Sequence, residues 1–162
     1  MGIQIPGELS GLLNELGYIW PESDEERLFE LGQAWIAFAA EADSVASAAG
    51  QAAAMLSDNH GEALEAFRAQ WAHTDSAPEV LQGIGTGARA VGAALLVCAM
   101  AVLALKVNVI VQLALLAIAI AQAIATAGPT LGASLLEIPI FKKLIDIAID
   151  FLIGQALEIV LG

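Results

Sequence analysis

Acidic side chains are missing from the middle of this 162-residue chain. No Asp or Glu occurs from Val80 to Leu136, and from Val91 to Ala127 the only ionisable side chains are Cys98 and Lys106. Basic residues are scarce everywhere, with six Lys and Arg against eighteen Asp and Glu. Phosphate contacts need clustered cations, and only Lys142 and Lys143 are adjacent, which argues against nucleic acid as a partner. Cys98 is the single cysteine, so no internal disulfide is available. Between Val97 and Ala99 it reads as a buried, inert thiol. Met1 to Ser10 has neither the basic nor the apolar region of a signal peptide, and Pro6 and Glu8 interrupt it, so export would take another route.

Catalytic signatures are also lacking. There is no G-x-S-x-G, P-loop or Cys–His pattern, and we expect no enzyme, no cofactor and no metal site. The two histidines, His60 beside Asp58 and Glu62, and His73 near Asp75, read as solvated turn residues. Glu22, Asp24, Glu25 and Glu26 lack the alternating spacing of a calcium loop, and helix capping explains them.

What remains is a chain divided by charge. Residues 1–82 carry fourteen acidic and two basic residues, whereas residues 83–162 balance at four and four. Hydrophobic residues make up 58%, above the roughly 45–50% of soluble domains. They lie in long Ala-rich runs without strand-like alternation, which predicts an all-α chain. The expected organisation is an acidic helical hairpin region over 1–82 and an apolar helical region over 83–162, packed as an elongated bundle.

The helical spacing is specific in places. Leu9, Leu12, Leu13 and Leu16 predict a short helix over 7–16, closed by Gly17. Ser23 and Glu26 form a capping box before a long helix. Leu28, Leu31, Trp35, Phe38, Ala42, Val45, Ala49, Ala52 and Leu56 then recur at alternating steps of three and four, a heptad seam. Turn formers from Ser57 to Gly61 end it. A second helix over 62–72 places Leu64, Phe67 and Trp71 on one face, so the expected hairpin seam is Leu28, Leu31, Trp35 and Phe38 with Leu64, Phe67 and Trp71. Ser76 and Glu79 can cap a further start.

Beyond residue 82 the pattern leaves alternatives open. Gly83 and Gly87 form a G-x-x-x-G pair, readable as a close-packing motif or as a flexible joint. Ala90–Leu105 and Val107–Ala127 are uncharged, each close to the ~20 residues that cross a bilayer. Lys106 marks a turn between two shorter helices or snorkels from one continuous helix. Asn108, Gln112, Gln122 and Thr126 fall within about 40° of one line down a helix, a candidate membrane or pore stripe or the wetted face of a soluble bundle. Gly128, Pro129 and Gly132 break the run before a last amphipathic helix carrying Lys142, Lys143, Asp146 and Asp150.

The segment Asn59-His60-Gly61-Glu62-Ala63-Leu64-Glu65-Ala66-Phe67 resembles the turn of the Trp-X-Gly family of helical hairpins. Ala66 and Phe67 match its small and aromatic positions, and Asn59 stands where the family has Trp. With Trp20-Pro21-Glu22-Ser23-Asp24-Glu25-Glu26, Trp35 and the Ala-rich helices that follow, the chain is similar to the Trp-X-Gly-like N-terminal domains of actinobacterial polymorphic toxins. The channel protein with necrosis-inducing toxin is one member of that group.

The resemblance implies a non-enzymatic export or delivery domain tied to type VII secretion. The partners it implies are small helical-hairpin proteins or the secretion machinery, which would read the Asn59/Gly61 turn, and a C-terminal toxin domain. Tyr18 and Glu22 have the Tyr-x-x-x-Asp/Glu spacing of that system's export signal. It also implies a secreted or cell-envelope location reached without a signal peptide. Two other functions fit the residues: a membrane-inserting or channel-forming domain using residues 84–127, with acid favouring its release by neutralising carboxylates, and a helical homo-oligomerisation module.

Overall fold

The computed structural model describes residues 2–161. The described residues form five α-helices and one 3₁₀ turn, with no strand among them. Helix α1 spans Gly7–Glu15. Gly17 ends it in the left-handed region, at φ 90°, which a side chain would resist.

Helix α2 spans Glu25–Ala54. Its cap lies one residue later than the Ser23–Glu26 box predicts. The Asp24 carboxylate accepts the Arg27 N–H at 3.1 Å, and the Ser23 carbonyl accepts from a buried cation described below. Helix α3 spans Glu62–Trp71.

Helix α4 spans Ala77–Ala125 as one unbroken run of 49 residues. Neither the joint at Gly83–Gly92 nor the turn at Lys106 is present. Each helical glycine costs about 1 kcal/mol relative to alanine, but the flanking Ala, Leu and Val residues carry the helix through. Helix α4 starts at Ala77 without help from the Ser76 hydroxyl, which is buried and has no hydrogen-bond partner. After Gly128 and Pro129, Leu131 and Gly132 adopt positive φ and the 3₁₀ turn Ala133–Glu137 follows. Ser134 Oγ donates to the Ala123 carbonyl at 2.8 Å, fastening the turn to the end of α4. Helix α5 spans Ile138–Leu161.

Composition changes near residue 82, whereas packing groups Leu28–Leu96 in one unit and Met1–Arg27 with Val97–Gly162 in another. In the first unit α2 and α4 run antiparallel. Gly32 lies against Gly92 and Leu96, and Asp43 lies against Gly85 and pairs with Arg89. The buried seam is therefore made of small residues: Gly32, Ala39, Ala42 and Ala46 on α2, and Gly85, Ala88 and Gly92 on α4.

Ala42 is the one heptad position of this buried seam, and the bulky positions expected with it differ. Leu28 is half-buried, and Leu31, Trp35 and Phe38 are 47%, 38% and 47% exposed. The backbones approach so closely at Gly92 that bulky side chains cannot lie between them. Leu64, Phe67 and Trp71 are half-buried on α3. Trp71 shares a cleft with Ala46, Ser47 and Gly50, about 18 Å further along α2 than Trp35. The Gly83/Gly87 pair takes no part in the seam, and a Cβ on either would meet nothing within 4 Å.

In the second unit Leu13 of α1 is buried with Val109 and Leu113 of α4 and Ile149 of α5. Leu9, Leu12, Leu16 and Trp20 pack around this cluster. The leucine spacing of the first helix thus has its core partner in the apolar helices.

The two glycine positions predict opposite signs for one substitution. Gly87→Ala is expected to stabilise by up to ~1 kcal/mol through helix propensity. Gly92→Ala would set a Cβ 2.8 Å from the Gly32 carbonyl oxygen, and overpacking of about 1–3 kcal/mol outweighs the propensity gain. Urea midpoints of the two variants check this.

Candidate functional site

Two features stand out from a chain of ordinary helix packing. The first is a buried charge. Lys106 sits midway along the apolar part of α4 and is 1% exposed. Its ammonium donates to Glu25 Oε2 at 2.8 Å and to the Ser23 carbonyl, and lies 5.8 Å from the centroid of the Trp20 ring. Glu25 Oε1 accepts the Ile3 N–H in turn. Burial pushes the Glu25 carboxyl up, but the hydrogen bonds from Ile3, Lys106 and its own N–H outweigh that and hold it below its ordinary value of 4.5. A buried pair is no net gain over apolar packing, yet removing one partner costs about 3–5 kcal/mol, because the other charge is left in an apolar interior.

Tyr18 belongs to the same unit. Its hydroxyl lies 2.9 Å from Asp146 Oδ1 and 3.0 Å from Asp150 Oδ1 on α5. Burial, followed by these two carboxylates, raises its pKa far above the ordinary 10.0, so it remains a hydroxyl donor. Of the Tyr18/Glu22 spacing, the tyrosine is thus turned onto α5 and Glu22 is exposed. Glu15 and Lys142 add an exposed pair at 2.6 Å.

The second feature is an outward apolar face. Leu31, Ala34, Trp35 and Phe38 line a shallow groove of about 370 Å³ on α2. Trp35 and Phe38 meet edge to face, with centroids 6.0 Å apart. Asn59 and Gly61 are exposed in the turn between α2 and α3, and Gly61 has φ 129°. Arg68 donates to the Ser57 carbonyl at 2.8 Å and ties α3 to this turn.

The polar residues of the α4 stripe do not converge on a common partner. Asn108 is exposed and donates to its own helix at Ala104 O, 2.8 Å. Thr126 donates to Gln122 O at 2.9 Å. Gln122 and Thr126 are exposed and Gln112 is half-buried. His60 and His73 are exposed, and no group of His, Cys, Asp and Glu among the described residues has the arrangement of a metal site. Glu25 was legible as a helix-start acid and Lys106 as an isolated cation. That they pair was not.

A carboxylate held below its ordinary pKa contributes stability that is fully present above about pH 4.5 and is lost as pH falls through its folded value. The expected result is a melting-temperature gap between the native chain and Glu25→Gln that is constant from about pH 7 to 5 and closes only below 4.5. Thermal melts across that range test it. Mild acid therefore leaves this pair intact.

The described elements also have a counterpart among known families. The family description WXG100 like domain matches residues 4–140, from ahead of α1 to the first turn of α5. Neither the curated proteins nor the solved structures yielded a match. A match over most of the chain, on an all-helical fold with an antiparallel helix pair at its centre, shows that the chain belongs to the WXG100 like domain family.

Proposed function

We propose that this chain is a non-enzymatic export or delivery domain of a toxin secreted by the type VII route. In this reading a small helical-hairpin partner or the secretion machinery recognises its helices. Family membership supports the secretion link, and the observation that carries the partner reading is the exposed α2 face of Leu31, Ala34, Trp35 and Phe38. Large side chains at heptad spacing belong against another helix, and the α2–α4 seam leaves these outside. An apolar anchor with an aromatic pair at its centre is the composition of a binding hot spot. The Asn59/Gly61 turn lies on the same unit as a second recognition element, and the toxin cargo would be carried in the same polypeptide.

A second reading has its own observation. The α4 helix contains an 18-residue window of mean hydropathy 2.5, of which 22% is buried. Val97, Met100, Leu103, Val107 and Val111 form an exposed apolar stripe along it. A surface of this kind suits hydrocarbon. Residues 84–127 would then insert and help the cargo across a membrane.

The readings separate experimentally. Trp35→Ala with Phe38→Ala is expected to leave folding intact, since neither ring belongs to the buried Gly/Ala seam, and to reduce export of an attached cargo at least tenfold. Unchanged secretion of a folded double variant would remove the partner reading. For the second reading, the native chain is expected to release dye from phosphatidylcholine–phosphatidylglycerol vesicles. Intact vesicles at every protein concentration tested, with the native chain and with Glu25→Gln alike, would remove it.

A further inference from the structure

We propose that residues 2–25 form a releasable strap, latched by the Glu25–Lys106 pair, which covers the groove between α4 and α5 and opens when that pair is broken. Every partner of the Lys106 ammonium described above comes from this stretch: the Glu25 carboxylate, the Ser23 carbonyl and the Trp20 ring. Ile3 holds the far oxygen of Glu25, so the two ends of the segment meet at one carboxylate.

Ile5, Leu9, Leu12, Leu16, Tyr18 and Trp20 also pack against the α4–α5 core, each only partly buried. Leu13 is the one strap side chain fully buried among Val109, Leu113 and Ile149. Tyr18 reaches α5 through a part-buried hydroxyl contact and Glu15 through an exposed ion pair. The fit also carries a defect, because Trp20 Nε1 is buried with no hydrogen-bond partner. A buried donor left unmade weakens the closed state. Between α1 and α2 the strap has no regular structure, and Ile19 is 87% exposed there. Such a segment belongs to the part of a protein that opens locally, ahead of the whole.

Lys106 makes the latch decisive. The charge cannot remain covered once its carboxylate is gone, so losing Glu25 favours the open strap. Opening uncovers the groove side of α4, opposite its exposed stripe. From Val91 onward the helix then carries no formal charge except Lys106, with Asn108, Gln112 and Gln122, and Thr126 just past its end, as polar residues among apolar ones, closer to a membrane span than to an amphipathic surface helix. This last consequence rests on the second reading above, whereas the latch rests on the side-chain geometry alone.

The test uses the full chain, with amide hydrogen exchange in water and dye release from phosphatidylcholine–phosphatidylglycerol vesicles. Glu25→Gln is expected to speed exchange in α1 by at least about 100-fold, from the cost of a buried unpaired charge, while amides of the Leu28–Leu96 unit keep their protection. The double variant Glu25→Gln with Lys106→Met has no charge to strand and is expected to return α1 to native protection. Unchanged exchange in Glu25→Gln, loss of protection throughout the chain, or a double variant as open as the single one would each overturn the latch. An open strap with vesicle leakage supports both the latch and the membrane reading. An open strap with vesicles intact supports the latch and removes the membrane reading.

Discussion

An ammonium group cannot stand alone in an apolar interior. Lys106 is the one formal charge between Val91 and Ala127, and residues 2–25 are arranged around it. Its demand for a carboxylate fixes Glu25 inside the protein, although that residue begins a helix whose other early side chains meet water. Its demand for further acceptors turns the Ser23 carbonyl inward, and Asp24 caps α2. The Trp20 ring covers the remaining approach. From these contacts follows the path of the chain between α1 and α2, and with it the placing of Leu13 over Val109 and Leu113.

Much of the secondary structure was legible because it is written locally. Leu9, Leu12, Leu13 and Leu16 with Gly17 gave α1, and the turn formers from Ser57 to Gly61 gave the break before α3. Gly128 and Pro129 gave the end of α4. The continuity of α4 was less legible, because a cluster of glycines and a lysine look like interruptions to any local rule. Both are satisfied by partners distant in sequence: Gly32 for Gly92, and Glu25 for Lys106.

The helix seam was misread for a related reason. Two stripes run down α2, one of Leu31, Trp35 and Phe38, the other of Gly32, Ala39, Ala42 and Ala46. Hydropathy favours the first. The close approach of α4 selects the second, and closeness has no signature in side-chain size except on the facing helix. The buried pair was still further from view, since 81 residues separate its members. Four acids crowd positions 22 to 26, and nothing local shows which of them meets a cation. The readable signal was indirect: a lone lysine in an apolar run requires a carboxylate from elsewhere. The outward face of α2 is the converse case, a strong local pattern that the fold leaves partly exposed.

The seam of glycine and alanine also sets the terms on which this sequence can drift. In a core of leucines, truncation is the damaging direction, because it leaves a void. Along α2 and α4 almost nothing remains to truncate, and growth is the damaging direction. Lineages can therefore exchange the outer aromatics more freely, while the quiet small residues behind them stay small.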